Sequence, residues 1–545
     1  MFNIQKRTNT VAYNLIVGKK IKNERFKPNK PFMPDELPQS VKLPRVEPEV
    51  VGVSKSYIDA FFDEIISTPE VFVHGAVVVK DGRVIGEMYK EPYLADVPHS
   101  SFSMCKTIVG MAIGILIDKK VISIKDKVSS LIDLDKYDAK CNDKTLTLTI
   151  EDLLTMKSGV MYREEGVIGE NNWVKSYFGA KVKNKEKFGY NSMNSFILGV
   201  VVKEQTGMSL TEFVKENIFN HLGIKKFYWE KNEQDLEKGG WGLYITTEDM
   251  AKIGTLILNG GVYYGRRIIS KEWINLMTAS QSEVPDHIGD HDYGYHIWTR
   301  KGDNISYSLN GLFGQTVSIF KKQGLVVAVN SGNNDLFFSN PVFSILKKYF
   351  ITGDKPSKSL KFLMSNKPVD VSTLVGRYDL NHQRRAFSLL PIVMQVMTNN
   401  FSSGIRAMSI VQEQENIKMS VLEDQVSEII FDKSGKFLYQ EVQNRGDRYL
   451  VGTKVKQDGE NSISFYLFFV ETPSVRKINF SLINGEIYLT FYENPSIEII
   501  NGAVKLIEGA KKTKANEFVI KLAKPVVNKL AKNVFVVTKK IKKSE

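Results

Sequence analysis

The sequence predicts an α+β chain of more than one domain, in which a helix-rich unit with strands at both of its ends precedes a separate antiparallel β domain. Three observations carry that expectation. At 545 residues, with 42% hydrophobic and 25% charged side chains, the chain has material for several packed cores and the composition of an ordinary globular protein. Between about residues 49 and 355, strand-like runs open and close a stretch of helical periodicity, so distant segments must share one sheet. After about residue 368 the texture changes to short alternating runs broken by turns such as Gln457-Asp458-Gly459 and Asn484-Gly485.

The elements follow in order. Residues 1–48 form a basic, proline-containing arm, because prolines spaced through 27–50 permit neither a helix nor a central strand. Ser54 is placed to cap a helix whose apolar face is Tyr57, Ile58, Phe61, Phe62, Ile65 and Ile66. Two strands then flank the turn Lys80-Asp81-Gly82-Arg83. The nearly continuous apolar run at 107–118, containing Gly110 and Gly114, predicts a helix buried on most sides and closely approached by its neighbours. Further helices are expected at 150–156, 194–206, 210–219, 247–258 and 271–279, and strands at 306–320 and 324–330. About eight strands over 368–500 predict an antiparallel barrel or sandwich.

Charge and cysteine usage narrow the function classes. The net charge of +13 resides in the ends: residues 501–545 carry +9 and residues 1–48 carry +6, leaving 49–500 slightly acidic at −2. A folded domain of that balance offers no basic groove, which argues against a nucleic-acid partner. Two cysteines provide neither a disulfide framework nor a Cys-ligated metal cluster. His287, His291 and His296 lie among Asp286, Asp290 and Asp292 without the spacing of a zinc site, so no metal and no cofactor is expected. The start has no apolar leader region, and the longest apolar stretch falls short of the ~20 residues that span a bilayer. A cytoplasmic location is expected. In the lysine-rich tail, 501–545, apolar residues from Phe518 to Ile541 recur at three- and four-residue spacing, an amphipathic helix suited to an anionic membrane or to docking on the protein itself.

The chemistry begins at Ser103-Met104-Cys105-Lys106, which fits S-x-x-K. One turn of helix puts the hydroxyl and the amine on a common face, and a lysine whose pKa is depressed by burial can take the serine proton. The tetrapeptide alone is weak, since 318–321, 344–347 and 474–477 also match it. Cys105, between the two, should point away from their shared face and pack.

Neighbouring blocks supply the context: PHSSFSMCKTIVGMAIGILIDKKVISIKDKV, LTIEDLLTMKSGV, FGYNSMNSFILGVVVKEQTG, GGWGLYITTEDMAKIGTLILNGG and YSLNGLFGQTVSI. In this order, over about residues 45–350, they resemble the serine β-lactamase-related family. That family comprises class C β-lactamases and penicillin-binding-protein-like hydrolases, including esterases and 6-aminohexanoate-dimer hydrolases. The resemblance implies a β-lactamase/transpeptidase-like α/β sandwich beside an all-α subdomain, with the active site between them. It makes Ser103 the acyl-forming nucleophile, with Lys106 and Tyr190 as the proton-transfer pair. It places the oxyanion hole at the backbone N–H groups of Ser103 and Leu312, and substrate contacts at Ser192, Leu309, Asn310, Gly311 and Gln315. Gly311 is expected to let the substrate carbonyl lie against its strand.

Two positions depart from the family pattern. Leu309 stands where a lysine or histidine usually engages a substrate carboxylate, and Ser192 where an asparagine is frequent. Both departures turn the expectation from β-lactams and D-alanyl peptides toward a small ester or simple amide. A catalytically idle binding protein and a true β-lactamase or D-alanyl carboxypeptidase are the alternatives, and the oligomeric state is left open.

Overall fold

The computed structural model describes residues 37–164, 167, 170–289, 291–300, 306–334, 341–352, 366–380, 398, 400, 405–423, 425–444, 447–496 and 534–537. Its centre is an eight-stranded antiparallel sheet. From one edge the strands are Arg83–Tyr89, Val73–Lys80, Leu325–Ser331, Thr316–Phe320, Ser306–Asn310, Trp298–Arg300, His291–Tyr293 and Ser282–Glu283. The sheet closes through pairing of an early strand with a late one, Val77 opposite Ala328 and Val78 opposite Val327. These β-branched strands are buried on both faces, as expected of a sheet sandwiched between helices.

On one face lie the helices Cys105–Asp118 and Thr247–Leu258, within a core that includes Val77, Val79, Leu309, Val317 and Ala328. The other face is covered by Lys55–Ser67 and Pro341–Lys347, whose Phe61, Ile65, Ile345 and Leu346 meet Val78, Val327 and Val329. Cys105–Asp118 is buried from Cys105 through Leu116 and carries its glycines for the expected reason. The Trp273 indole donates to the Gly110 carbonyl at 3.2 Å, and a Cβ at Gly114 would overlap the same ring. Around its far side pack Ile150–Leu154, Trp173–Phe178, Ser192–Thr206 and Leu210–Asn217, the all-α part. Thr149 with Asp152, and Ser209 with Glu212, form reciprocal capping boxes that fix where two of these helices start.

Several local expectations change. Residues 306–320 are two strands separated by a tight turn, Leu312–Gly314, with Phe313 in the left-handed region (φ 62°). Sequence periodicity missed this break because Phe313 is apolar and adjoins apolar neighbours. The helices Trp173–Phe178 and Pro341–Lys347, 6 and 7 residues long, are too short for their periodicity to stand out. Residues 37–47 of the arm lie along the sheet domain: Leu43 is buried, its N–H donates to Glu248 Oε1 at 2.5 Å, and Arg45 pairs with Glu87 and Glu248. Residues 1–36 lie outside the described residues.

The C-terminal region consists of a four-stranded sheet, Gly376–Asp379 through Val426–Asp432, and a six-stranded sheet, Leu438–Asn444 through Val534–Val537. Both contribute to one apolar core, Ile410, Met419 and Phe431 from the first with Phe465, Phe480 and Leu489 from the second. Two sheets over a common core is a sandwich-like arrangement, and no pairing among the described residues closes a barrel. The helix expected from Phe518 to Ile541 does not run through: Val534–Val537 is a strand antiparallel to Glu486–Asn494. A run of Val-Phe-Val-Val prefers the extended backbone, and an unpaired sheet edge satisfies its N–H and C=O groups. The remainder of that expected helix lies outside the described residues. Among the described residues, no helix is long and apolar enough to cross a membrane.

Candidate active site

The site is assembled where the short strand His99–Ser100 runs into the turn Phe102–Met104 and the helix Cys105–Asp118. Phe102 adopts φ 49°, a left-handed conformation that costs an L-residue roughly 1–2 kcal/mol. Its ring packs edge-on against Phe313, centroids 5.1 Å apart, and Phe313 is left-handed as well. Two strained phenylalanines in contact thus join the segment before Ser103 to the segment after Leu312. Ser103 and Leu312 each lie in the first turn of a 3-10 helix, where N–H groups have no intrahelical partner.

Lys106 is buried and lies one turn beyond Ser103, with Nζ 2.8 Å from Ser103 Oγ and 2.6 Å from the Gly240 carbonyl oxygen. Burial pulls its pKa down to about 8, against weaker opposing effects of Cys105 and Glu164. Gly239 and Gly240 bring their carbonyls this close because side chains there would collide with the backbone of Ser195 and Ser192. Tyr190 completes the group. Its hydroxyl is hydrogen-bonded to Ser103, its ring centroid lies 5.0 Å from Lys106 Nζ, and it stacks on Trp298 at 5.7 Å. Burial pushes the phenol well above its ordinary pKa, and the bond with Ser103 only partly offsets this. At neutral pH the tyrosine is therefore a protonated hydroxyl, and the titrating partner is the lysine.

The other residues singled out by sequence fall in distinct places. Ser192 is buried in the first turn of its helix, packed against Gly240, and its N–H donates to Glu164 Oε1 at 2.7 Å. Leu309 is a core residue, opposite Val317, on the face that meets the central helix. Asn310 is buried and accepts from Thr316 Oγ1 at 3.2 Å. Gly311 is needed because a Cβ there would overlap the Ser101 carbonyl oxygen, so the close approach is made by the protein's own backbone rather than reserved for substrate. Gln315 has no exposed surface, and its amide binds the Phe313 and Ser331 carbonyls at 3.3 and 2.5 Å. Those bonds shape the Leu312–Gly314 turn from within and leave the side chain no face toward a ligand. Cys105 is fully buried, donates to the Gly239 carbonyl at 3.2 Å, and its pKa is pushed up to about 12. It is a packed, inert thiol.

Three contributors escaped the sequence reading. Glu164 reaches the site from a loop with no motif, and acts electrostatically on both Lys106 and Tyr190. Asn191 is a buried anchor that caps its helix through Met193 N–H and donates to the Val160 and Tyr162 carbonyls at 3.1 and 3.0 Å. His296, considered above for metal, is instead held as a neutral imidazole. Nε2 meets Ser195 Oγ at 2.8 Å, Nδ1 meets the Leu154 carbonyl at 3.0 Å, and burial pulls its pKa down to about 3. The signal for Asn191 was present in the block FGYNS, whereas a lone glutamate and histidine carried none. Among the described residues, no group of three or more His, Cys, Asp or Glu is arranged to hold a metal ion.

Comparisons with known proteins show what this chain is similar to. The family model described as Beta-lactamase matches residues 59–337, about half of the chain. A 6-aminohexanoate-dimer hydrolase of Paenarthrobacter ureafaciens is 23% identical over 237 residues, 38% of this chain and 57% of that protein, so less than two thirds of that relative is covered. A teichoic acid D-alanine hydrolase of Staphylococcus aureus is 23% identical over 325 residues, covering 53% of this chain and 77% of the relative. Among solved structures, a putative 6-aminohexanoate-dimer hydrolase from Bacillus anthracis superposes with a TM-score of 0.48 at 22% identity, over 57% of this chain and 87% of that one.

Proposed function

Because this chain belongs to the Beta-lactamase family, we propose that it is a serine hydrolase that works through an acyl-enzyme on a small ester or amide. The observation that carries the reading is Lys106, buried, ion-paired to no carboxylate among the described residues, and 2.8 Å from Ser103 Oγ. In its neutral form the amine accepts the Ser103 proton as Oγ attacks the carbonyl carbon of the substrate. Negative charge gathers on the carbonyl oxygen, toward the N–H groups of Ser103 and Leu312, each such donor being worth ~3 kcal/mol. The protonated lysine returns its proton through the Tyr190 hydroxyl to the leaving oxygen or nitrogen, and the C–O or C–N bond breaks. Water then attacks the acyl-serine, with Lys106 and Tyr190 relaying its proton back to Ser103 Oγ.

The substrate reading follows from Leu309. A leucine buried in the core gives no charge-assisted bond to a carboxylate, which favours neutral acyl groups over penicillins. Arg300 lines a cavity of about 360 Å³ with His291, Ser306 and Phe343, and efficient β-lactam turnover would point to it or to Lys301 as the source of the charge. Relatives named 6-aminohexanoate-dimer hydrolase and teichoic acid D-alanine hydrolase support a hydrolase reading.

The test is mass spectrometry after exposure to a fluorophosphonate, together with turnover of short-chain p-nitrophenyl esters. The expected result is one adduct, mapped to Ser103, and ester hydrolysis that exceeds that of nitrocefin. A folded protein that binds ligands and leaves Ser103 unlabelled would make it the idle binding protein.

A further inference from the structure

We infer that the C-terminal β domain braces both halves of the oxyanion hole, with Glu471 and Asn494 as positioning residues for the reaction proposed above. The first brace is the turn at 470–474, which joins the strands Ser462–Phe469 and Val475–Ile483. Turns at sheet ends usually lie in solvent. Here Val470, Glu471, Thr472 and Ser474 are all at most 5% exposed. The Glu471 carbonyl accepts the Ser100 N–H at 2.9 Å, on the edge of the strand His99–Ser100 opposite its pairing with Leu243–Ile245. The segment leading to Ser103 is therefore held on both sides, one side by the other domain.

Thr472 hydrogen-bonds through its backbone to the buried His99 imidazole. His99 in turn meets the Ser100 carbonyl at 3.1 Å and His74 at 3.0 Å, and Tyr93 stacks on His74 at 3.6 Å. The Glu471 carboxylate fixes the turn to its own sheet by accepting the Leu450 N–H at 3.3 Å.

The second brace acts on the Leu312 side. Asn494 Nδ2 donates to the Gly332 carbonyl at 2.5 Å, and the Ser496 N–H donates to Asn334 Oδ1 at 2.5 Å. Between those two anchors the Asn333 N–H donates to the Phe313 carbonyl at 3.0 Å, and just before them Ser331 Oγ donates to the same oxygen at 3.0 Å. Phe313 follows Leu312 directly. A Gly332 Cβ would lie 2.9 Å from the Pro473 carbonyl oxygen, so the turn at 470–474 presses on this segment too. The two paths from the β domain thus converge on the Phe102–Phe313 contact that joins the two N–H donors.

The test uses the full-length protein and the single variants Glu471→Ala, Glu471→Gln, Asn494→Ala and Asn494→Asp. Glu471→Ala and both Asn494 variants should lower kcat for a p-nitrophenyl ester about 10- to 100-fold with KM within twofold, as expected when transition-state contacts alone weaken. Affinity for a phenylboronic acid, which forms a tetrahedral adduct, should fall in the same proportion. Glu471→Gln keeps the acceptor and should retain most of kcat. Asn494→Asp keeps the size and removes the donor, and serves where an alanine variant fails to fold. Unchanged kcat in folded variants, or reduced kcat with undiminished boronate affinity, overturns the inference. A wild-type protein whose Ser103 takes no label fails the proposed function instead, so the two failures are distinct.

Discussion

Two lysines of the sheet-and-helix domain are equally buried, and their surroundings give them opposite uses. Lys252, 1% exposed, is paired with Asp249 at 2.6 Å and donates to the Val41 carbonyl at 2.5 Å. Asp249 also accepts from Ser40 Oγ at 2.7 Å, so this ion pair ties the arm to the helix Thr247–Leu258. Lys106, also 1% exposed, meets a hydroxyl, a carbonyl and the face of a phenol ring, and is ion-paired to no carboxylate among the described residues. Desolvation, only partly offset by Cys105 and Glu164, brings its pKa down to about 8. Burial alone does not make a lysine a base. A buried amine that no carboxylate ion-pairs can serve as one, and among the described residues Glu164 bonds the Ser192 N–H and acts on Lys106 electrostatically.

The comparison breaks most sharply on truncation. Lys106→Ala should lower kcat/KM by ~10²- to 10⁴-fold, the usual range for a general base, while leaving the melting temperature close to wild type. Tyr190→Phe, which keeps the stack on Trp298 and removes the relay hydroxyl, should reduce kcat in the lower part of that range. Lys252→Ala should do the reverse. It strands a buried Asp249, at a cost of ~3–5 kcal/mol in denaturant unfolding, and leaves KM and the pH profile of the folded fraction unchanged.

A finer test is Glu164→Gln. The carboxylate raises the pKa of Lys106 through space, so removing its charge should shift the rising limb of the pH–kcat/KM profile to lower pH. The amide oxygen still accepts the Ser192 N–H and should preserve the fold. A shift to higher pH would contradict this placement of the charge. The smallest effect on activity is expected from Leu309→Lys, which should lower stability without raising nitrocefin turnover, because the side chain points into the core.

How much of this was legible depended on whether a side chain or a backbone does the work. Ser103, Lys106 and Tyr190 were legible because each lies in a block of several distinctive residues, and the helix of apolar residues with Gly110 and Gly114 announced its own burial. Leu312 was named through the family resemblance, but the backbone conformation beside it was not legible, since an apolar residue at positive φ such as Phe313 has no signature in a sequence. Gln315 illustrates the converse: the family resemblance suggested a ligand contact, whereas its amide serves two buried carbonyls. Leu309 marked a real departure from the family pattern, and only packing revealed that the residue had joined the core. The strand Val534–Val537 was concealed because valine at helical spacing also suits a sheet edge, and pairing with a distant strand decides between them.

In the proposed mechanism a buried Lys106, ion-paired to no carboxylate among the described residues, activates Ser103. The rate of fluorophosphonate labelling at Ser103, measured from pH 6 to pH 10 on the folded protein, tests it most directly. The rate should climb with pH and reach half its maximum near the Lys106 pKa of about 8, and the whole curve should move to lower pH in Glu164→Gln. Labelling that is flat across this range, or that persists at the wild-type rate in Lys106→Ala, would contradict it.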